Sequence, residues 1–165
     1  MNFKDIQQLE IYGFTGFKKI GELSNNYSSI PDTKGVYLFL NLDNPNPIFL
    51  TMGTGGHFKG KDPNVSIQEL EKNWVAETIV VYIGKAGGKT AKATLQSRLK
   101  QYLKFGQGKN IGHWGGRYIW QLPRSENLIV CWKELETEEP SAIESHLIGC
   151  FKAIYGKRPF ANLKD

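Results

Sequence analysis

The sequence predicts an α+β domain in which helices flank a small mixed or antiparallel central sheet. Its 165 residues are close to the roughly 150 of a typical domain, so we expect one domain spanning residues 1–165. Hydrophobic residues make up 40% of the chain and charged residues 22%, which excludes wholesale disorder. Short β-branched runs are interleaved with segments whose apolar residues recur at helical spacing, and this mixture favours a sheet with helices around it.

Two patterns in the first half of the chain predict a strand and a helix. Residues 36–40 are apolar and follow the turn-forming Pro31 and Gly35, which predicts a strand. Ser66 with Glu69 three residues later forms a capping-box pattern, which predicts a helix over 67–74. Weaker patterns predict a short helix on Phe3, Ile6 and Leu9, an edge strand within 14–23, a brief strand over 48–50 and a glycine-rich mobile loop over 51–64.

The second half shows stronger periodicity. Residues 78–83 form a continuous β-branched run, as in the buried centre of a sheet, and 93–105 have the apolar spacing of an amphipathic helix. Residues 118–122 and 128–132 are predicted as two strands. A long helix follows, with Thr137 as its N-cap, Gly156 at its end and a buried stripe of Ile143, Leu147, Cys150, Phe151 and Ile154.

Two features of the sequence bear on the location of the protein in the cell. The longest apolar run, residues 79–83, is far shorter than the roughly 20 residues of a membrane span, and the N-terminal residues lack a signal-peptide core. Cys131 and Cys150 form no CxxC pair, so we expect free thiols and not a zinc site or a disulfide framework. We therefore expect a cytoplasmic protein that does not contact a membrane.

Positive charge is concentrated in one stretch of the chain. No acidic residue lies between Glu77 and Glu126, whereas nine lysine and arginine residues do. Such a one-signed region attracts polyanions, and the release of counterions from phosphates is the main source of sequence-independent affinity for nucleic acid. The alternative is a solvated basic face without a partner.

Two side chains combine charge with an apolar neighbourhood. Arg98 and Tyr102 are four residues apart and share one side of their predicted helix, where a guanidinium can clamp a phosphate. Glu144 lies at the margin of the apolar stripe of the long helix, where a carboxylate requires a cation, either a metal ion or a lysine. By contrast, the segment from Gly84 to Thr90 is not a P-loop, because Ile83 stands where that motif requires its first glycine.

Five elements in order resemble the signature of the GIY-YIG nuclease superfamily. They are Gly35-Val36-Tyr37, Tyr82-Ile83-Gly84, Arg98 with Tyr102, Glu144 and Asn162. The chain departs from the family pattern in two places: 44 residues separate Tyr37 from Tyr82, and an extended loop covers 112–117. We therefore expect a divergent subfamily with an N-terminal extension of about residues 1–30 and an insertion of about residues 41–77.

The resemblance implies metal-dependent hydrolysis of phosphodiester bonds in DNA. Glu144 would hold Mg²⁺ or Mn²⁺, and Arg98 would bind the scissile phosphate. Tyr37 is favoured as the general base, with Tyr82 positioning the phosphate or the water, although the two roles can be reversed. The supporting residues are Lys85 and Lys34, whose charge would lower a phenol pKa, Tyr102, which would donate a hydrogen bond, and Asn162, which would tie the C-terminal segment to the site.

The basic stretch supplies the candidate nucleic-acid contacts. Trp114 with Arg117 would either stack on a base or support its loop. His57 and His113 have no metal-ligand spacing and are expected to contact DNA or solvent. The predicted nucleic-acid-binding residues are Lys89, Lys92, Lys100, Lys104, Lys109, His113, Trp114 and Arg117.

Three functions stay open at this point. An endonuclease ranks first because every candidate catalytic residue is present. A catalytically weak nucleic-acid-binding module of the same fold ranks second, and a protein-interaction domain ranks third. DNA is the expected partner, RNA is the alternative, and a separate protein is a candidate for targeting.

Overall fold

The chain folds around one four-stranded antiparallel sheet, which confirms the predicted α+β class. The computed structural model describes residues 1–43 and 45–163. The strands are β1 (Thr15–Lys19), β2 (Gly35–Leu40), β3 (Val80–Ala86) and β4 (Ile129–Glu134), in the spatial order β1-β4-β2-β3. Every neighbouring pair is antiparallel, so the sheet is not mixed.

Five α-helices surround the sheet in the described part of the chain. They are α1 (Ile6–Ile11), α2 (Ile20–Leu23), α3 (Ile67–Asn73), α4 (Leu95–Gly106) and α5 (Pro140–Tyr155). Three short 3-10 helices cover Phe58–Gly60, Arg117–Gln121 and Ser125–Asn127. Both predicted helix starts at Ser66 and near residue 93 are confirmed within two residues, because Ser66 caps α3 and Thr94 caps α4 through their hydroxyl groups.

The sheet separates two hydrophobic clusters. Tyr37, Phe39 and Tyr82 face one way and pack with α4. The alternate residues of the same strands, among them Val36 and Leu38, face α1 and α5. All six residues of β2 are buried, as expected for a strand with a partner on each side and a helix layer on each face.

β3 is an outer strand, and the C-terminal segment covers part of its free edge. The Ala161 backbone N–H donates to the Val81 carbonyl oxygen at 2.9 Å. The Asn162 side chain accepts from the Ile83 N–H at 2.9 Å and donates to the Ile83 carbonyl at 2.8 Å. These bonds satisfy backbone groups that an outer strand otherwise leaves unpaired.

The segment between β2 and β3 contains no strand at 48–50. The Leu50 N–H instead donates to the Gln121 carbonyl at 2.8 Å, and the Gly56 N–H donates to the Phe105 carbonyl at 2.8 Å. The loop at 51–64, predicted to be mobile, is therefore anchored by backbone hydrogen bonds to the end of α4 and to the segment that follows it.

Three further predictions were wrong. Residues 118–122 were expected to form a strand, but Arg117–Gln121 is a 3-10 helix, since β1 and β2 already occupy both sides of β4. The long helix has Glu139 and not Thr137 at its N-cap, because Pro140 takes the first helical position, where its fixed φ is favourable. Ile154 is 50% exposed and leaves the buried stripe, whereas Gly156 ends α5 as predicted.

Within the described residues, no helix combines the length and the apolar character that crossing a bilayer requires.

Candidate active site

Tyr37 and Tyr82 lie on neighbouring strands and point to the same face of the sheet. Tyr37 is opposite Gly84 in the register of β2 and β3, and the two tyrosine ring centroids are 6.2 Å apart. A Cβ at position 84 would stand 2.5 Å from Cζ of Tyr37. Gly84 therefore leaves room for the ring of Tyr37, the tyrosine of the Gly35-Val36-Tyr37 motif.

Arg98 approaches this pair from α4. The capping box of Thr94 and Ser97 fixes the start of that helix, and Arg98 follows in its first turns with its side chain half-buried. The charge of Arg98 acts on the phenols of both Tyr37 and Tyr82. The arginine and the two tyrosines, all of them predicted site residues, thus lie close together.

Burial governs the protonation of both phenols. Desolvation raises the pKa of Tyr37 to about 12, although the positive charge of Arg98 opposes that rise. The pKa of Tyr82 is also raised well above its usual value, first by burial and then by the nearby Tyr37 and Glu144. Both hydroxyl groups therefore carry their protons at neutral pH, and Arg98 is the cation that lowers the pKa of each.

Glu144 comes from α5, on the opposite face of the sheet. Its Oε2 lies 3.0 Å from Nζ of Lys85, and the two side chains are 18% and 41% exposed. Lys85 points to the α5 face because it pairs with Val36, one residue out of step with Tyr37. Lys85 thus contacts the Glu144 carboxylate. Lys34, the other lysine expected to lower a phenol pKa, donates to the Glu138 carbonyl at 3.1 Å.

The two faces meet in a groove at the outer edge of β3. The groove has a volume of about 300 Å³. Tyr37 is 1% exposed and is not among the described residues that line it. The groove is lined by Tyr82, Trp114, Gly115, Gly116, Glu144, Ile148, Asn162 and Leu163.

A second cavity, of about 390 Å³, lies beside residues 122–124. None of the predicted site residues lines it. We therefore place the candidate site in the groove at β3.

Tyr102 supports the groove from behind. Its ring is fully buried, and its hydroxyl donates a short hydrogen bond to the Gly116 carbonyl. Gly116 has φ of +76°, a conformation that favours glycine, and it packs against Tyr82 as well as Tyr102. Tyr102 therefore holds the wall of the groove and does not reach into it.

His113 does not lie where nucleic acid could reach it, so its predicted contact is wrong. The ring is 1% exposed and stacks on Tyr102 with 4.0 Å between centroids. Burial, with a smaller contribution from Arg98, lowers the pKa of His113 to about 3. Neither ring nitrogen has a hydrogen-bond partner among the described residues. Its place in a glycine-rich loop gave no signal of this burial.

Arg117 supports the loop that carries Trp114. Its Cζ lies 4.7 Å from the ring centroid of Trp114 and 5.1 Å from that of Tyr118. Trp114 itself is half-buried and lines the groove. Arg117 therefore supports the loop. Trp114, which lines the groove, is placed either to support the loop or to stack on a base.

The predicted lysine contacts surround α4. Lys89 and Lys92 are exposed on the loop before it, Lys100 is exposed on the helix, and Lys109 is exposed after it. Lys104 is half-buried. All five belong to the stretch that lacks acidic residues.

A divalent cation fits this site through one carboxylate. Mg²⁺ is commonly held by one or two carboxylates and fills its other positions with water and phosphate oxygens. Glu144 is partly exposed in the groove and already attracts a cation, Lys85. No cluster of three or more acidic, histidine or cysteine side chains suited to a metal occurs in the ranges 1–43 and 45–163.

The sequence analysis did not identify four residues of the groove. Gly115, Gly116, Ile148 and Leu163 line it together with the predicted residues. Only the glycine-rich composition of 112–116 hinted at a close approach of backbone.

Comparison with known proteins gave no match, whether among family models, curated proteins or solved structures.

Proposed function

We propose that this protein is a metal-dependent endonuclease of the GIY-YIG type that hydrolyses phosphodiester bonds in DNA. One observation carries the proposal: Tyr82 from β3 and Glu144 from α5 line one groove, and Arg98 from α4 contacts the tyrosine pair behind it. Side chains that can hold a phosphate, a metal ion and a water thus converge from three separate elements.

Arg98 is assigned to the phosphate. It is not among the described residues that line the groove, but it is half-buried and its charge acts on Tyr82, which does line the groove. Its guanidinium is fixed next to the two phenols and offers several N–H donors to phosphate oxygens. As negative charge grows on the phosphate in the transition state, a half-buried arginine stabilises it more strongly than one in bulk water.

Tyr82, not Tyr37, is the phenol that meets the attacking water. Tyr82 lines the groove, whereas Tyr37 is buried, packs against the ring of Tyr82 and lies close to the charge of Arg98. Tyr37 therefore positions the other two. To accept a proton from the water, Tyr82 must first lose its own phenolic proton to solvent. Because Glu144 raises the pKa of Tyr82, neutralising that carboxylate favours this loss.

Glu144 would hold the divalent cation, Mg²⁺ or Mn²⁺. Such an ion would supply positive charge that stabilises the phosphate and the leaving oxygen. Lys85 contacts the same carboxylate and keeps positive charge at this position before the metal binds.

Positive charge around α4 supports DNA as the substrate. Lys89, Lys92, Lys100 and Lys109 are exposed there. Contacts of this kind to phosphates act along any sequence, so we propose weakly sequence-specific or structure-directed cutting unless a partner protein provides targeting.

The two free thiols fit a cytoplasmic location.

A nucleic-acid-binding module without turnover is the second candidate. The ion pair between Lys85 and Glu144 and the raised pKa values of both tyrosines favour it, since a catalytic site must overcome both. Such a module would bind DNA with a steep dependence on salt and would leave it uncut.

The two candidates are separated by incubating supercoiled, linear and branched DNAs with the protein and Mg²⁺ or Mn²⁺. We expect cleavage of at least one substrate and none in EDTA. Tyr82→Phe, which removes one hydroxyl group, is expected to slow cleavage at least about 100-fold. The matched control is Tyr12→Phe, at a tyrosine that is 43% exposed and does not line the groove. Binding without cleavage of any substrate would favour the second candidate.

A further inference from the structure

The groove beside Glu144 has more apolar surface than a phosphate site needs. Besides the polar Tyr82 and Asn162, its lining includes Trp114, Ile148 and Leu163, whose side chains are largely apolar. A phosphate and a hydrated metal ion contact polar groups and gain nothing from such side chains. A flat, partly apolar ligand would cover them.

Trp114 is packed against neighbouring residues in this wall. The Arg117 guanidinium lies against its ring at 4.7 Å and also contacts Tyr118, whose hydroxyl donates to Glu69 at 3.3 Å. Two residues after Trp114, Gly116 accepts the hydrogen bond from Tyr102. An aromatic side chain that is fixed before a ligand arrives loses little conformational entropy on binding.

The size and charge of this region select the ligand. A cavity of about 300 Å³ lies at the lower end of the range for small organic ligands, which suits one nucleobase and not a base pair. Trp114 and Arg117 belong to the stretch without acidic residues, which favours a ligand attached to phosphates.

Intact duplex DNA does not present such a ligand. Its base faces are covered by stacking, and an enzyme reaches one only after the base has left the stack. Single strands, flaps and bulges expose base faces already, and these faces stack on aromatic side chains whatever the base.

We propose that the groove receives one unpaired nucleobase, stacked on Trp114 next to the scissile phosphate, so that DNA with unpaired bases is the preferred substrate. This inference rests on the proposed nuclease function, because it names the substrate of the same site. It assigns Trp114 to substrate binding and leaves the hydrolysis to Tyr82, Arg98 and Glu144.

The test uses 2-aminopurine, a base whose fluorescence falls when it stacks on an aromatic side chain. The full chain is mixed in EDTA, which prevents cleavage, with oligonucleotides that carry this base either paired within a duplex or unpaired in a bulge. We expect the wild type to bind the bulged DNA about tenfold more tightly than the duplex and to quench only the unpaired base.

Two variants separate stacking from loop support. Trp114→Ala is expected to lose the tenfold preference and the quenching while its Kd for intact duplex is unchanged. Trp114→Phe keeps an aromatic ring and is expected to retain most of both. If Trp114→Ala does not fold, the wild-type quenching and the Trp114→Phe variant decide.

Equal Kd values of the wild type for both DNAs, without quenching, would overturn the inference and leave the nuclease proposal standing. An equal loss of affinity for both DNAs in Trp114→Ala would overturn it as well. A preference for the bulge in a protein that never cleaves DNA with Mg²⁺ or Mn²⁺ would support the stacking of an unpaired base on Trp114 but would refute the nuclease proposal, and with it the part of the inference that names a cleavage substrate.

Discussion

Burial determines the protonation states of the residues near Arg98. Tyr37, Tyr82 and Tyr102 form ring contacts with one another or with shared neighbours, and His113 stacks on the last of them. Burial keeps the tyrosines protonated and His113 neutral. Arg98 is therefore the charged member of this group, and its field acts with little screening by water.

The neutral state of His113 makes stability depend on pH. Its pKa is about 3 in the folded protein and about 6.5 in the unfolded chain, so the unfolded state binds more protons between these values. The stability that neutral His113 contributes is thus present above about pH 6.5 and is lost as the pH falls toward 3. We expect the free energy of unfolding to drop by about 2 kcal/mol between pH 7 and pH 5 from this group alone.

Urea unfolding of the wild type and of His113→Phe at pH 7, 6 and 5 measures this contribution. Phenylalanine keeps the stack on Tyr102 and removes the titrating nitrogens. The difference between the two proteins should grow toward low pH. Parallel pH dependences would show that His113 is charged or exposed in the folded protein.

The identity of the site residues was predictable from the sequence to a limited extent. Tyr37, Tyr82, Arg98 and Glu144 were found by their order along the chain, and the structure places them near one another. The sequence could not decide which tyrosine lines the groove, because both alternate in the same phase on paired strands. His113 was misassigned because its burial depends on a loop conformation that has no periodicity.

Among the secondary-structure elements, β2 and β3 determine where the chemistry lies. Their register puts Gly84 under the ring of Tyr37, and β3 is the outer strand that borders the groove. Strands 36–40, 78–83 and 128–132 were predictable, since continuous β-branched or apolar runs mark buried strands. Residues 118–122 look similar in sequence, but β1 and β2 already occupy both sides of β4, the strand that follows them in the chain.

Gly84→Ala tests the contact between these strands. The added methyl group would stand 2.5 Å from Cζ of Tyr37, so the ring must shift. We expect a loss of about 1–3 kcal/mol in the free energy of unfolding, measured in urea. The matched control is Gly149→Ala on α5, where an added Cβ meets nothing within 4 Å and alanine favours the helix. Equal stabilities of the two variants would contradict the close packing of Tyr37 on Gly84.

For the whole molecule, the arrangement of charge and elements connects the fold to the proposed function. The chain carries a formal net charge of +5, and nine of its basic residues lie between Glu77 and Glu126, in the region that includes α4 and one wall of the groove. The sequence predicted this concentration. It could not predict that the segment between β2 and β3 packs against the end of α4, because hydrogen bonds such as that from Gly56 to Phe105 join backbone groups and leave no pattern of side chains.

The central claim is that Glu144 and its groove hydrolyse DNA with a divalent metal. The most direct measurement is the single-turnover cleavage rate of Glu144→Gln in Mg²⁺, beside the wild type and Glu71→Gln, a change at an exposed glutamate of α3. We predict at least about a 100-fold slower rate for Glu144→Gln, with DNA binding retained, and the wild-type rate for Glu71→Gln. A wild-type rate in Glu144→Gln would contradict the account.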